Sequence, residues 1–298
     1  MKENQPSATA RMIARSLLLL SQDPARSSLT PPWSAETTGW FLNACGEDAA
    51  HFRVLAGRSW FRRALNAVES LAAPGIMTHY VLRKRQIEDA VRAALASGAA
   101  QVVVLGAGFD TLALRLHDEF PAAAFWELDH PATQAIKCRT LQVHATLGEN
   151  LHFVTLDFAA GRLADALLFE PHYDQNAATV FVAEGLLMYL APQQVAEVFQ
   201  DAHTVSGPDS VFAFTFLEPQ ANGQVEFDNQ RPIISWWLKR RGEPFCWGLK
   251  GAEVTQFLDA HGWDLQQTLT PLALRRLFLG EAVARPITGD LVGFAVRI

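Results

Sequence analysis

The chain reads as an α/β fold, a mostly parallel sheet covered on both faces by helices, with a helical region ahead of it. Three features predict this. From Gln101 onward, short β-branched runs alternate with apolar helical stretches, and strands separated by helices of that length pair in parallel. The first run ends directly in Gly106-Ala107-Gly108, a turn suited to passing from a strand into a helix. The residues before it, 1–98, show helical apolar spacing and no convincing strand.

Taken in order, Met12, Ile13, Leu17 and Leu20 share one helical face, and Pro24 and Pro31-Pro32 interrupt the pattern. Trp60, Phe61, Leu65 and Val68 repeat it until Pro74-Gly75 ends the segment. A further helix is expected over Tyr80–Ala96, closing at Gly98, a favoured helix-end residue. Strands follow at Gln101–Leu105, Ala124–Leu128, Leu151–Leu156 and Thr179–Ala183. The helices between and after them are Thr111–Glu119, Ala132–Leu147, Leu163–Phe169 and Val195–Val205. Val211–Leu217 adds a fifth strand. Leu265–Leu269 and Leu291–Val296 bring the sheet to seven, the last open to an antiparallel setting. Strand order is not readable from this pattern. Residues 1–98 are expected to form a cap or lid, and 99–298 the core, as one structural unit.

Composition narrows the function. A chain of 298 residues with 49% hydrophobic content can bury a large core without staples. A net charge of −6 and no basic block argue against a nucleic-acid partner. The short clusters Arg83-Lys84-Arg85 and Lys239-Arg240-Arg241 read as solvated helix faces. Cys45, Cys138 and Cys246 are odd in number and lack CxxC spacing, so neither a disulfide framework nor a zinc site is expected. Reduced thiols fit a cytoplasmic protein. The apolar run Leu17–Leu20 is far short of the about 20 residues that span a bilayer, and no signal peptide is read. No metal and no membrane partner are expected; homo-oligomer formation stays open.

The chemistry starts at the glycine turn. Gly106 and Gly108 allow positive φ and a close approach of backbone to ligand at the sheet's carboxyl edge. The third glycine of a dinucleotide fingerprint would fall at position 111, which is Thr, and that disfavours a pyrophosphate-bearing cofactor. Asp110 stands at the helix start, placed to cap it and to suit a zwitterionic or cationic ligand. The second strand ends in Glu127-Leu128-Asp129, about 20 residues past the turn, where an acid bonds ribose hydroxyls. Asp129 is the first choice and Glu127 the second, because alternate strand residues face opposite ways. Asp157 with Phe158 ends the third strand, placed to bond an adenine amino group and cover its ring, or to cap the next helix. Glu184 lies between two apolar segments. A carboxylate so placed needs a partner.

Gln101–Leu116 (QVVVLGAGFDTLALRL), Phe125–Leu141 (FWELDHPATQAIKCRTL) and Val182–Leu190 (VAEGLLMYL) together resemble the leucine carboxyl methyltransferase family over roughly residues 80 to 200. That family includes bacterial S-adenosylmethionine-dependent O-methyltransferases of natural-product pathways. The resemblance implies a Rossmann-like class I methyltransferase fold and S-adenosyl-L-methionine as cofactor. It also implies that Arg83 pairs with the cofactor's carboxylate, a match that guanidinium geometry favours. Gly106, Gly108 and Asp110 would line the amino-acid end, Asp129 the ribose, Asp157 and Phe158 the adenine, and Glu184 the ammonium. The chain departs from the family at Leu112, where Arg is common, and at Leu114, where Tyr is.

A carboxylate acceptor needs no general base, since carboxyl groups titrate near 4, and this matches the absence of a nucleophile–base dyad. The expected reaction is O-methylation of a small acidic molecule, carboxylate favoured over hydroxyl. Tyr189 is the candidate catalytic contact and Arg231 the candidate partner of a substrate carboxylate. His79, His130, His203 and His261 read as structural. The tract Trp236, Trp237, Phe245, Trp247 reads more as core than as binding site. Competing readings are a protein C-terminal carboxyl methyltransferase, an inactive cofactor-binding partner protein suggested by Leu112, and a nicotinamide-dependent dehydrogenase, which Thr111 disfavours.

Overall fold

A computed structural model describes residues 6–31, 33–228, 230–280 and 288–298; Pro32 of the early proline pair lies outside them. Five helices come first: α1 (Ala8–Ser21), α2 (Ser34–Ala44), α3 (Ala49–Ala56), α4 (Ser59–Ala72) and α5 (Ile76–Ala96). α5 begins one turn earlier than expected, directly after Gly75, whose φ of 76° supplies the left-handed entrance. No strand occurs among the described residues of this region.

From here the strand–helix alternation is as expected. It runs β1 (Gln101–Leu105), α6 (Leu112–Glu119), β2 (Ala124–Asp129), α7 (Pro131–His144), β3 (Leu151–Thr155), α8 (Leu163–Leu168), β4 (Thr179–Ala183), α9 (Pro192–Thr204) and β5 (Val211–Leu217). After it come α10 (Pro232–Arg241), α11 (Val254–Asp259), β6 (Trp263–Leu269), α12 (Pro271–Leu279) and β7 (Asp290–Arg297). The seven strands lie in the order β3-β2-β1-β4-β5-β7-β6. β1 through β5 pair in parallel, and β7 is antiparallel to both β5 and β6.

Alternation along each strand builds two cores. Val103 and Leu105 join Trp126, Phe181, Phe212 and Trp263 on one face. Val102 and Val104 join Phe125, Val180, Leu82 and Val91 on the other, beneath α5 and α6. Two consequences position the site. The order reverses between β1 and β4, and ligands in such sheets bind outside the carboxyl ends at that reversal. The antiparallel setting of β7 pairs Asp290 with Leu217, so β7 begins, rather than ends, at the same edge.

Trp263 shows how firmly the far end is closed. It is fully buried, and its indole N–H donates to the Phe199 carbonyl at 3.1 Å. Trp263→Ala should lower unfolding free energy by about 3–5 kcal/mol, read from the urea midpoint at unchanged slope.

Candidate active site

The turn after β1 is built as the glycines require. Gly106 and Gly108 have φ of 63° and 52°, a region that side-chain-bearing residues rarely enter. A Cβ on Gly106 would lie 2.9 Å from Leu186 Cδ1, and one on Gly108 would lie 3.3 Å from Ala10 of α1. The first glycine therefore lets the turns after β1 and β4 approach each other, and the second lets α1 settle over them. The amide N–H of Gly108 donates to Asp129, and that of His130 donates to the other Asp129 oxygen at 2.6 Å. Burial raises the Asp129 carboxyl, and these two N–H donors offset part of that rise. Each carboxylate oxygen keeps lone pairs for a further donor.

Glu127 points the other way. It is buried against Lys137 Nζ at 2.6 Å and does not line the cavity at the sheet edge, so of the two acids only Asp129 faces it. Asp157 is partly exposed, takes the Ala159 N–H at 3.0 Å, and has His130 Nε2 3.8 Å away. Phe158 is buried beside it, and both line the cavity. His130 lines it too, and its Nδ1 caps α7 by accepting the Ala132 N–H. No sequence signal set this histidine apart from the others.

The opposite end of the cavity is a buried charge cluster. Arg83 on α5 meets Glu184 at 3.0 Å and Asp290 at 2.7 Å. Lys84 meets Glu184 at 3.1 Å and Asp110 at 3.2 Å, and His79 Nε2 meets Asp290 at 2.7 Å. Burial disfavours the charge on Arg83, but Asp290 and then Glu184 outweigh it, so its pKa rises. Burial likewise works against Lys84, and Asp110 and Glu184 reverse it. Burial would raise Asp110, yet Lys84, Lys137 and Arg115 hold it below its ordinary value. Asp290 is also lowered, because Arg83 and His79 overcome its burial.

Two expectations change here. Arg83 and Lys84 are not a solvated face; their side chains are 2% and 10% exposed. Asp110 does not cap α6 in the usual way: it takes the adjacent Thr111 N–H at 2.7 Å and the Lys84 ammonium. Two cationic side chains, Arg83 and Lys84, face three carboxylates, Asp110, Glu184 and Asp290, with the His79 imidazole against Asp290, so the cluster holds one carboxylate more than its Arg and Lys side chains match. It is this excess, rather than Asp110 alone, that suits a cationic group. Lys84 and Asp290 belong to the site, and the sequence reading assigned neither to it. Leu112 is packed in the core beneath α5 and does not line the cavity. Its departure from the family residue therefore leaves the wall as it is.

A cavity of about 200 Å³ runs between these two ends, roofed by α1 and by the loop after α10. Glu243 in that loop accepts the Ala8 and Thr9 N–H groups at 2.9 and 3.0 Å and the Thr9 hydroxyl at 2.6 Å. A carboxylate on the first turn of α1 is the favoured end for its dipole, so Glu243 fastens α1 over the site. Beside it lies a second, larger cavity of about 480 Å³ between α1, α4, α5 and α10. Thr9, Ile13, Arg83, Gly185 and Tyr189 line both.

Tyr189 thus stands at the junction. Its hydroxyl is 3.4 Å from Thr9 Oγ1, its ring is 5.5 Å from Phe245, and burial raises its pKa. It is a neutral donor, not a base. Arg231 reaches neither cavity, which corrects its expected role as a substrate contact. Its guanidinium donates to the Leu71 carbonyl at 3.3 Å and its amide to Ala72 at 2.9 Å, tying α10 to α4. The aromatic tract splits: Trp247 is core, Trp237 and Phe245 line the larger cavity, and Trp236 is 57% exposed.

The chain is similar to known proteins. The leucine carboxyl methyltransferase family matches residues 8–203, reaching back to α1, well ahead of the motifs that carried the resemblance in the sequence. A Mycobacterium marinum protein provisionally named an S-adenosyl-L-methionine-dependent methyltransferase is 28% identical over 300 residues, covering 98% of this chain and 93% of its own. YktD of Bacillus subtilis, provisionally named in the same way, is 27% identical over 200 residues, 67% of this chain and 65% of its own. The crystal structure of a provisionally named methyltransferase from Thermobifida fusca aligns with a TM-score of 0.56 at 17% identity, over 87% of this chain and 93% of that one. That likeness carries the fold, which is the expected class I methyltransferase sheet.

Glu127 and Lys137 separate support from ligand contact. Glu127→Gln should cost about 3–5 kcal/mol in urea unfolding, because it strands a buried ammonium. Adding Lys137→Met should recover most of the loss.

Proposed function

We propose a carboxyl-directed O-methyltransferase from one premise: the chain belongs to the leucine carboxyl methyltransferase family. It is an S-adenosyl-L-methionine-dependent methyltransferase. The donor set fits that cofactor on its own terms. Asp129 offers carboxylate lone pairs to the ribose diol, Leu156 and Phe158 an apolar face to the adenine, and Asp157 an acceptor to its amino group. Glu184 receives the ammonium, and Lys84 and Arg83 supply positive charge to the carboxylate. The extra carboxylate of the cluster complements the cofactor's net positive charge. When bound, the cofactor would supply an electrophilic methyl group on a sulfonium: an ionised acceptor oxygen forms the O–C bond in line as the C–S bond breaks, the thioether S-adenosylhomocysteine leaves with the electron pair, and no proton moves.

The observation that carries the carboxyl assignment is the pair of joined cavities with no free base at their junction among the described residues. The groups shared there are a hydroxyl, a protonated phenol, apolar side chains, a glycine and an arginine held by carboxylates. Such a junction orients an acceptor and excludes water, but it does not remove a proton from a hydroxyl. An acceptor already ionised at neutral pH matches it. Attack by a carboxylate on a sulfonium also neutralises charge, and a water-poor apolar site strengthens the attraction between the two. Tyr189 holds the acceptor oxygen by its phenol O–H, the role we assign to it in catalysis, and Thr9, whose hydroxyl donates to Glu243 at 2.6 Å, stands behind it. The acceptor is a small acidic metabolite or natural product rather than an extended peptide, because helix side chains wall the larger cavity and no open strand edge lies along it.

The helical region 1–98 acts as the cap of the site and 99–298 as its core. Among the described residues no helix is long and apolar enough to cross a membrane. The three cysteines are free thiols, which fits a reducing, cytoplasmic setting.

Two measurements test this reading. Methyl-labelled cofactor incubated with a panel of carboxylic acids should give a product whose label is released as volatile methanol by alkali; a base-stable label would assign an ether or amine instead. Asp129→Ala should weaken S-adenosylhomocysteine binding roughly tenfold to a hundredfold in calorimetry, and unchanged affinity would remove Asp129 from the ribose.

A further inference from the structure

The larger cavity carries its own chemistry. α4 is strongly two-sided, yet none of its described residues is buried. Its apolar side chains Leu65, Val68 and Ala72 face the cavity instead of protein. Ile234 and Trp237 of α10 and Phe245 face it from the other side. An amphipathic helix normally buries such a stripe against the core. Here that stripe lines open space, which an apolar ligand would fill.

The charged groups that reach the cavity among the described residues are Arg15, Glu69 and Arg83. Arg83 stands at the end shared with the cofactor cavity, against Glu184 and Asp290, and Arg15 gives its Nε to Glu47 at 2.6 Å. Glu69 accepts the Met77 N–H at 2.8 Å, and burial pushes its carboxyl above the ordinary value. Away from the cofactor end, a second anion on the ligand would meet the Glu69 carboxylate, hydrocarbon and an Arg15 already paired with Glu47. At one end the hydroxyls of Thr9 and Tyr189 open onto the cofactor cavity. The rim between α4 and α10 carries Val68 and Ile233, 61% and 62% exposed, so the mouth is apolar as well.

We propose that the acceptor is a monocarboxylic acid with an otherwise apolar body, its carboxylate at the Thr9–Tyr189 end and its body between α4 and α10. The cavity of about 480 Å³ holds roughly sixteen water-sized groups, taking about 30 Å³ each, and so accommodates a medium-length chain or two fused rings. The assignment rests on the methyltransferase reading above, and it names the substrate class that reading leaves open.

Calorimetry on the full chain loaded with S-adenosylhomocysteine tests it, with hexanoate, decanoate and decanedioate as probes. Decanoate should bind at least about tenfold more tightly than hexanoate, because each methylene buried in an apolar wall tightens binding several-fold. Decanedioate should bind at least about tenfold more weakly than decanoate, since its second carboxylate is desolvated without a partner. Leu65→Glu, and independently Ile234→Glu on the other wall, should weaken decanoate about tenfold or more and leave S-adenosylhomocysteine affinity unchanged. Equal affinity for hexanoate and decanoate, or decanedioate binding as well as decanoate, would overturn the proposal while leaving the cofactor assignment standing. Failure of the wild-type chain to bind S-adenosylhomocysteine would overturn the methyltransferase reading, and this one with it.

Discussion

Five charged side chains meet in the dry space at the carboxyl edge of the sheet, and the site is organised around their mutual neutralisation. Arg83 and Lys84 come from α5, Glu184 from the end of β4, Asp110 from the glycine turn and Asp290 from the first residue of β7. Each is costly to bury alone. Together they hold the helix, two strand ends and a turn in one arrangement, and losing one partner from such a group typically costs about 3–5 kcal/mol. The same mutual dependence leaves the cluster with one carboxylate more than its Arg and Lys side chains match. On the proposed reading the same pairing is also a preformed seat for a positively charged ligand group, which has little reorganisation to wait for.

The remaining walls follow from glycine and from helix capping. Gly106 and Gly108 bring the β4 turn and α1 within van der Waals reach of the β1 turn. Glu243 then fastens α1 by its first amides. The first helix in the sequence thus roofs a site whose floor lies about a hundred residues later, and the family match beginning at residue 8 includes that roof. With α1 fixed, its other side forms a wall of the larger cavity. The two cavities therefore share Thr9, Ile13 and Tyr189 rather than communicating at a distance.

Much of this was legible in the sequence, for local reasons. Strand runs such as Gln101–Leu105 and Thr179–Ala183 declare themselves by composition, and the glycine turn by its position after one of them. Asp129 and Glu184 were singled out because strand ends project acids to the ligand edge. What stayed hidden is non-local. The insertion of β7 between β5 and β6, and with it the arrival of Asp290, depends on pairings between distant segments. Lys84 sat in a triplet of basic residues that reads as surface, and only the packing of α5 onto the sheet buries two of the three. Arg231 looked like a free cation because the carbonyls it ties, at Leu71 and Ala72, are about 160 positions away. The larger cavity is made by helices that each read as ordinary amphipathic segments. α4 in particular gives no sequence sign that its apolar face opens on space.

The account stands or falls on the cluster being a cation seat. Isothermal titration of S-adenosylhomocysteine, which keeps the ammonium and lacks the sulfonium charge, reads that seat without a sulfonium contribution. The prediction is one equivalent bound by the wild-type chain and at least about tenfold weaker binding by Glu184→Gln, the variant's fold being verified by circular dichroism. Wild-type affinity in Glu184→Gln would contradict it and reduce the cluster to structural pairing.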